Sequence, residues 1–249
     1  MRIAIAGGTG TLGAHVVEAA ASAGHDVTLL TRGTGVDLLT GDGVDAALDG
    51  VDAVIDAANL STLSEKDARA FFRTASGNLL AAAARAGVGH AVLVSIVGID
   101  RNPHDYYAGK VAQEEVYAAA DVPWTIVRAT QFHELAAQMF DSAKVGPVHL
   151  APRARTQPIA AREVGAHLVR TAEQPAQGRA ADLAGPREEQ LADMVKRYAR
   201  AVGYRGPVVA VPAPGAQMKG MRAGLNLPGP DAVRGTQTFA EWIAELPRG

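Results

Sequence analysis

Residues 1–13 read Met1-Arg-Ile-Ala-Ile-Ala-Gly7-Gly8-Thr9-Gly10-Thr11-Leu12-Gly13. The uncharged run from Ile3 to Ala6 is typical of a strand that is buried on both faces. The glycines that follow predict a tight turn, and the pattern from Leu12 to Ala23 predicts a helix. A strand, a glycine turn and a helix in this order indicate the start of a parallel α/β sheet.

The glycines of this turn fit two spacings. Gly8, Gly10 and Gly13 match G-x-G-x-x-G, while Gly7, Gly10 and Gly13 match G-x-x-G-x-x-G. Either spacing predicts a dinucleotide site, because glycines permit the sharp turn, the close approach of a pyrophosphate and tight helix–strand packing. The free N–H groups and the dipole of the helix N-terminus favour phosphates. An ordinary glycine-rich turn is the alternative, and the flanking strand and helix favour nucleotide binding.

Composition limits the class of protein. The 249 residues are 48% hydrophobic and 20% charged, with a formal net charge of -2, which fits an α/β domain and gives no reason to expect nucleic acid as a partner. The absence of cysteine excludes disulfides and thiolate catalysis, and the histidines have no metal-ligand spacing, so no metal is expected. No apolar run is long enough to span a membrane. We expect a cytoplasmic protein without a signal peptide, as a monomer or small homo-oligomer.

Strand-like and helical patterns alternate through the first half of the chain. Strands are predicted at 3–6, 27–30, 51–57, 91–95 and 124–129, with a short one at 33–39, and helices at 12–23, 65–86 and 106–120. Repeated strand–helix–strand units predict a doubly wound parallel sheet, a Rossmann NAD(P)-binding domain over residues 1–145.

The pattern is less regular after residue 145. Helices are predicted at 162–173, 188–202 and 239–246, and a strand at 208–211. These elements are too short to build a core of their own, so residues 146–249 are predicted to form a smaller C-terminal substrate-binding region packed on the sheet. His133 and Glu134 are interpreted as a helix start, His15 as a packed residue, and Trp242 as a core anchor.

The end of the second strand bears on the choice of cofactor. NAD-selective folds carry an acid there, about 20 residues after the glycines, but this chain has Thr31-Arg32-Gly33. The Arg32 guanidinium suits a 2′-phosphate, so NADP(H) is favoured over NAD(H). A solvated surface arginine is the alternative. Asp37 is the nearest acid that follows; it could accept from the adenine amino group or serve as a turn residue.

The segment from Ser95 to Lys110 carries candidate chemistry. Ser95 ends a predicted strand, at the edge where doubly wound sheets bind ligands. Tyr106 and Lys110 are four apart, on one face of a helix. An adjacent ammonium favours the phenolate and brings the phenol pKa nearer the working range. Tyr106 would then protonate a substrate oxygen, Ser95 would hydrogen-bond it, and Lys110 would hold the nicotinamide ribose.

Two other interpretations of this segment stay open. Tyrosines and lysines at helical spacing are common on surface helices, so a Y-x-x-x-K motif alone is weak evidence for a catalytic pair. Tyr107 competes for the acid role because it precedes Lys110 by three residues and shares much of the same face.

The sequence resembles the short-chain dehydrogenase/reductase superfamily, and its atypical branch with NmrA-like NAD(P)-binding proteins in particular. The resemblance is carried by Gly7-x-x-Gly10-x-x-Gly13, Thr31-Arg32, Ser95-Ile-Val-Gly98, Tyr106-Tyr107-x-x-Lys110, Trp124–Phe132, Leu183-Ala-Gly-Pro186 and Gln237-Thr-Phe-x-x-Trp242. It implies that Thr9, Thr11 and Leu12 line the pyrophosphate turn, and that Ala57, Ala58 and Asn59 border the adenosine and its ribose. It also implies that Gln131 and Phe132 lie near the nicotinamide and the substrate, with Tyr107 beside them.

Three functions are compatible with this sequence. The first is an NADPH-dependent oxidoreductase that transfers a hydride to a carbonyl, quinone or conjugated enone of a small molecule. The second is a catalytically silent NmrA-like sensor that binds NADP(H) and regulates a partner. The third is an epimerase-like enzyme or dehydratase that uses its cofactor transiently. Tyr106 and Lys110 favour the first.

Overall fold

The computed structural model describes residues 1–246. The strands are β1 (Arg2–Ala6), β2 (Asp26–Leu30), β3 (Ala53–Asp56), β4 (His90–Ile96), β5 (Trp124–Ala129), β6 (Lys144–Val145), β7 (Val148–Pro152), β8 (Arg155–Thr156), β9 (Gly178–Arg179), β10 (Leu183–Ala184), β11 (Glu189–Gln190), β12 (Val208–Val211) and β13 (Val233–Arg234). The helices are α1 (Thr11–Ser22), α2 (Val44–Ala47), α3 (Glu65–Ala86), α4 (Tyr106–Ala118), α5 (Leu135–Ser142), α6 (Ala161–Ala172), α7 (Leu191–Ala201), α8 (Ala216–Arg222) and α9 (Phe239–Ala244).

The main sheet confirms the predicted fold class. Its order is β13-β10-β5-β4-β3-β1-β2, with β9 beside β5, and each of its pairs is parallel. The chain goes from β1 to β2 on one side and then returns to β3 on the other. The carboxyl ends of β1 and β3 therefore flank the switch point, where open α/β sheets bind ligands.

Helices cover both faces of this sheet. α1 and α6 pack together on one face, and Gly165 of α6 lets the backbones approach, since a Cβ there would lie 2.9 Å from the His15 carbonyl oxygen. α3 and α4 pack together on the other face. Elements beyond residue 146 thus complete the main sheet, while α5, α7 and α9 bury a third apolar cluster with Ile99 and Tyr107.

The prediction of a strand at residues 33–39 is wrong. A 3-10 turn from Arg32 to Thr34 stands there instead. The Thr34 hydroxyl donates to the Leu29 and Thr31 carbonyls at 2.8 Å each, and Gly35 adopts a left-handed φ of 80°, so the backbone bends away from the sheet. Within residues 1–246, no helix combines the length and apolarity needed to cross a membrane.

Candidate functional site

The glycine turn after β1 selects one of the two spacings. Gly7 has a left-handed φ of 74°, and its carbonyl accepts from the Gly10 N–H at 2.9 Å. A Cβ on Gly7 would lie 2.4 Å from the Ala57 carbonyl oxygen, and one on Gly13 would lie 2.0 Å from the Gly7 carbonyl oxygen. A Cβ on Gly8 would meet only side chains, the nearest being the Leu29 methyl at 2.9 Å. The positions where backbone contacts leave no room for a Cβ, Gly7 and Gly13, therefore belong to the Gly7-x-x-Gly10-x-x-Gly13 spacing.

The same turn fits the pyrophosphate of a dinucleotide. Gly10 caps α1 without a side-chain hydrogen bond, and the first turn of α1 contains no acidic residue. Thr9, Gly10 and Thr11 are exposed, whereas Leu12 is buried beneath them. The N–H groups of this helix end are therefore open to an anion, and no carboxylate in the first turn repels it.

Arg32 and Asp37 follow β2 in the chain. The Arg32 side chain is exposed and makes no ion pair with any residue of the described range 1–246. Asp37 acts as a turn residue, because its Oδ1 accepts from the Leu39 N–H at 2.8 Å. The proposed contact of Asp37 with adenine stays a prediction.

The segment after β3 borders the switch point. Ala57 and Ala58 are buried, and the Ala57 N–H donates to the Ala6 carbonyl at 3.0 Å, which joins this segment to β1. Asn59 is exposed, and its Oδ1 accepts from the Tyr106 hydroxyl at 2.7 Å. This pairing brings a predicted catalytic residue to a predicted cofactor-binding residue, and no spacing in the sequence indicates it.

Tyr106 and Tyr107, at the start of α4, lie in different surroundings. Burial raises the pKa of Tyr106, and Tyr107 raises it further. Tyr107 is only 4% exposed; its hydroxyl donates to Met221 Sδ at 3.5 Å and accepts from Gln131 Nε2 at 3.2 Å. Burial raises the pKa of Tyr107 to about 12, against the opposing hydrogen bond from Gln131. Both phenols are therefore protonated at neutral pH.

Lys110 points into the protein and not toward the open edge. It is 4% exposed, and its Nζ donates to the Val94 carbonyl at 2.9 Å and to Gln113 Oε1. Burial lowers the pKa of Lys110 to about 8, opposed by Asp56 and Glu114. The expected lowering of the Tyr106 pKa by this ammonium is absent, because burial dominates. The contact of Lys110 with the nicotinamide ribose stays a prediction.

Asp56 is a buried residue of this region that the sequence analysis missed. Its Oδ2 accepts from Ser76 Oγ at 2.9 Å, Gln113 Nε2 at 3.0 Å and Tyr117 at 3.3 Å. Its Oδ1 accepts from the Ala58 N–H at 3.0 Å, which orders the segment beside the glycine turn. The available signal was an acid at the end of the otherwise apolar strand β3, since buried acids need several partners.

Ser95 stands at the carboxyl end of β4, opposite Arg128 of β5. It is 2% exposed, and its Oγ has no hydrogen-bond partner among residues 1–246. Arg128 is held elsewhere, by Glu114 at 2.7 Å and Asp100 at 2.9 Å. The Ser95 hydroxyl is therefore a buried polar group at the carboxyl edge of the sheet that lacks a partner among residues 1–246.

The segment after β5 completes this edge. Gln131 links to Thr156, whose hydroxyl donates to Gln131 Oε1 at 2.7 Å, and through its Nε2 to Tyr107. Phe132 is half-buried and forms a β-bridge with Ile159. The two amide contacts fix the Gln131 side chain, and Thr156 is a further residue that the sequence analysis did not find.

Comparison with known proteins agrees with this geometry. The profile of the NAD(P)H-binding family matches residues 7–175. No curated protein matches the sequence.

Solved structures with the same fold cover nearly the whole chain at low identity. The NADPH-dependent quinone oxidoreductase QOR2 from Escherichia coli in complex with NADPH is 18% identical, with a TM-score of 0.73 over 97% of this chain and 98% of that one. TunA, an NAD-dependent NDP-hexosamine 5,6-dehydratase, is 17% identical, with a TM-score of 0.74 over 98% and 95%. UDP-glucose 4-epimerase from Bifidobacterium longum is 13% identical, with a TM-score of 0.71 over 98% and 96%.

The family match covers the glycine turn, the Ser95 edge and α4 together, and the parallel sheet has the topology that the resemblance implied. The chain therefore belongs to the NAD(P)H-binding family.

Proposed function

We propose that the protein is an NADPH-dependent oxidoreductase that reduces a carbonyl, quinone or conjugated enone of a small, fairly apolar molecule. One observation carries the proposal: the buried, unpartnered Ser95 hydroxyl lies on the sheet edge that also bears the glycine turn. A hydroxyl in this state matches a substrate oxygen, which would supply the missing hydrogen bond. The small-molecule partner is itself part of the proposal.

Ser95 and Tyr106 would have different roles in a reduction. When bound, the reduced nicotinamide supplies the hydride. The Ser95 hydroxyl would donate a hydrogen bond to the substrate oxygen while the carbonyl carbon gains the hydride. The Tyr106 hydroxyl would give its proton to that oxygen, and solvent would reprotonate the phenolate. The raised pKa of Tyr106 keeps this proton in place at neutral pH.

The test of this chemistry is NADPH oxidation against a panel of quinones, enones, ketones and aldehydes. We expect Tyr106→Phe to lower kcat/KM by about 100- to 10,000-fold and to leave the NADPH Kd within about threefold. Tyr198→Phe on α7 removes a hydroxyl that makes no hydrogen bond within residues 1–246, so it is the matched control. Full activity in both Tyr106→Phe and Tyr107→Phe would show that neither hydroxyl donates the proton.

The choice of NADP(H) depends on Arg32. We expect Arg32→Ala to weaken NADPH binding by about tenfold or more and to leave NADH binding within about twofold, since only NADPH carries the 2′-phosphate. Arg85→Ala is the control: it makes the same charge change at an exposed arginine that pairs with Asp45, and it should alter the binding of neither NADPH nor NADH. Calorimetric titrations that show equal losses for both nucleotides would contradict the assignment.

The same panel separates the two other candidate functions. NADPH binding without oxidation of any substrate would favour the silent sensor. Nucleotide that copurifies and drives conversion of a nucleotide sugar without net oxidation would favour the epimerase-like enzyme, and structural neighbours of that class give a reason to include such sugars.

A further inference from the structure

An open cleft of about 470 Å³ lies between the last turns of α7 and the start of β12. Three of the residues that line it are cations: Lys196, Arg200 and Arg205. The others carry no charge, and they are Ala199, Tyr204, Gly206 and Val208. No carboxylate of residues 1–246 therefore lines the cleft, although the whole chain has a formal net charge of -2.

The turn after α7 returns the chain toward the helix and so brings Arg205 to the cleft. Gly203 adopts a left-handed φ of 83°. The Tyr204 N–H then donates to the Ala199 carbonyl at 2.9 Å, which is the usual way for a helix to end in a reversal of the chain. Arg205 is thereby placed on the same cleft as the side chains of the last turns of α7.

Tyr204 fixes the position of this returning segment. Its hydroxyl donates to the Pro147 carbonyl at 2.6 Å, and its ring lies 4.7 Å from the His149 ring and 5.3 Å from the Phe140 ring. A Cβ on Gly206 would lie 2.2 Å from the Tyr204 hydroxyl, so the chain passes directly over this side chain. The backbone on that side of the cleft is therefore formed before any ligand binds.

The positive charges of the cleft are almost unpaired within the protein. Lys196 and Arg200 are four residues apart and share one face of α7. Lys196 has one carboxylate near it, the exposed Asp193 at 3.4 Å. Arg200 and Arg205 are exposed, and their guanidinium groups make no ion pair or hydrogen bond with another of residues 1–246. A ligand from solvent can therefore reach both arginines.

The end of the helix does not account for these cations. Basic side chains near a helix C-terminus often donate to its free carbonyls. Here backbone N–H groups already donate to the carbonyls of Tyr198, Ala199 and Arg200, at 3.0, 2.9 and 3.2 Å. Three like charges on one cleft repel each other, and an anion relieves that repulsion.

We propose that this cleft binds a small phosphate-bearing anion with two or more negative charges. The Arg200 and Arg205 guanidinium groups would each donate paired hydrogen bonds to phosphate oxygens, and the Lys196 ammonium would add a point charge. The volume lies in the range of small-molecule sites, whereas a nucleic acid needs a longer basic stripe. None of these residues belongs to the glycine turn or the Ser95 edge, so this binding would be independent of the proposed hydride transfer.

Calorimetric titration of the full-length protein with inorganic pyrophosphate tests the proposal, at about 0.15 M NaCl to screen long-range attraction. We expect one pyrophosphate to bind per chain, and saturating NADPH to leave its Kd within about twofold. Arg200→Gln and Arg205→Gln should each weaken pyrophosphate by about tenfold or more. Arg170→Gln is the matched control, because it makes the same charge change at an exposed arginine in the last turn of α6 and should have no effect.

Thermal unfolding shows that the variants are folded. Because Arg200 and Arg205 are exposed, we expect each variant to keep its Tm within about 2 °C of the unaltered protein. Absence of pyrophosphate binding, unchanged binding in both cleft variants, or an equal loss in Arg170→Gln would overturn the proposal. Competition between NADPH and pyrophosphate would overturn it as well, because it would place the anion at the glycine turn. Tighter binding of duplex DNA or of phosphatidylserine vesicles, lost in the same two variants, would show an extended polyanion as the ligand instead.

Discussion

Gly13→Ala is expected to damage both the fold and cofactor binding, although alanine is the better helix former. The new Cβ would lie 2.0 Å from the Gly7 carbonyl oxygen and 2.8 Å from Gly8 Cα. Both neighbours are backbone atoms, so no side-chain rotation relieves the contact. Restoring a separation of 3.0 Å requires α1 and the Gly7 turn to move apart by about 1 Å.

This displacement sets the expected magnitudes. Overpacking costs about 1–3 kcal/mol, and a contact with backbone belongs at the upper end of that range. At about 2–4 °C per kcal/mol, the Tm should fall by about 6–12 °C. Losing one hydrogen bond to the charged pyrophosphate costs about 1.5–3 kcal/mol, so we expect the NADPH Kd to rise by about 10- to 100-fold.

Circular dichroism gives the Tm, and calorimetry gives the Kd. Gly77→Ala is the matched control, because its Cβ meets nothing within 4 Å on helix α3 and should stabilise by about 0.5–1 kcal/mol. Gly8→Ala meets only movable side chains and should keep the NADPH Kd within about threefold. If Gly13→Ala binds NADPH normally, or Gly8→Ala loses binding instead, the contact geometry of the turn is not what determines binding.

Three further changes test the buried groups behind the site. Lys110 loses its proton near pH 8 in the folded protein and near pH 10.5 in the unfolded chain. The free energy of unfolding, measured by urea titration relative to Lys110→Met, should therefore rise by about 3 kcal/mol between these two pH values. A difference that does not change with pH would contradict the burial of the amine. Asp56→Ala leaves four donors without an acceptor and should cost about 3–5 kcal/mol of unfolding free energy, against less than about 1 kcal/mol for the exposed Asp45→Ala. Gly109→Ala would put a Cβ 2.6 Å from that of Ala68, so it should lower the Tm; a rise would show that α3 and α4 can separate without loss.

Local patterns made most of the sheet predictable. β1, β4, β5 and their helices follow from apolar runs and helical periodicity, which short segments express by themselves. The strand predicted at residues 33–39 is absent because Thr34 and Gly35 hydrogen-bond to preceding carbonyls and close a turn there. Because the pattern is less regular after residue 145, the sequence did not show that β9 and β10 extend the main sheet or that α6 packs on it.

The sequence suggested candidate site residues, and the structure supplied their arrangement. Ser95, Tyr106 and Asn59 were chosen from motifs, but only the structure shows the Tyr106–Asn59 hydrogen bond and the unpartnered Ser95 hydroxyl. Tyr106 and Lys110 both lie on helix α4, as their spacing predicted. The spacing could not indicate that Lys110 turns inward, because its partners Val94 and Gln113 lie on different elements.

The sequence alone determined the dinucleotide turn, because chain sterics and hydrophobic periodicity act over a few neighbouring residues. The tertiary structure decided which glycine spacing bears the close contacts, which hydroxyls lack partners, and where the Lys110 charge lies. Each of these depends on atoms brought together from distant parts of the chain, and burial acts on a group's pKa and hydrogen bonding only once those atoms have met.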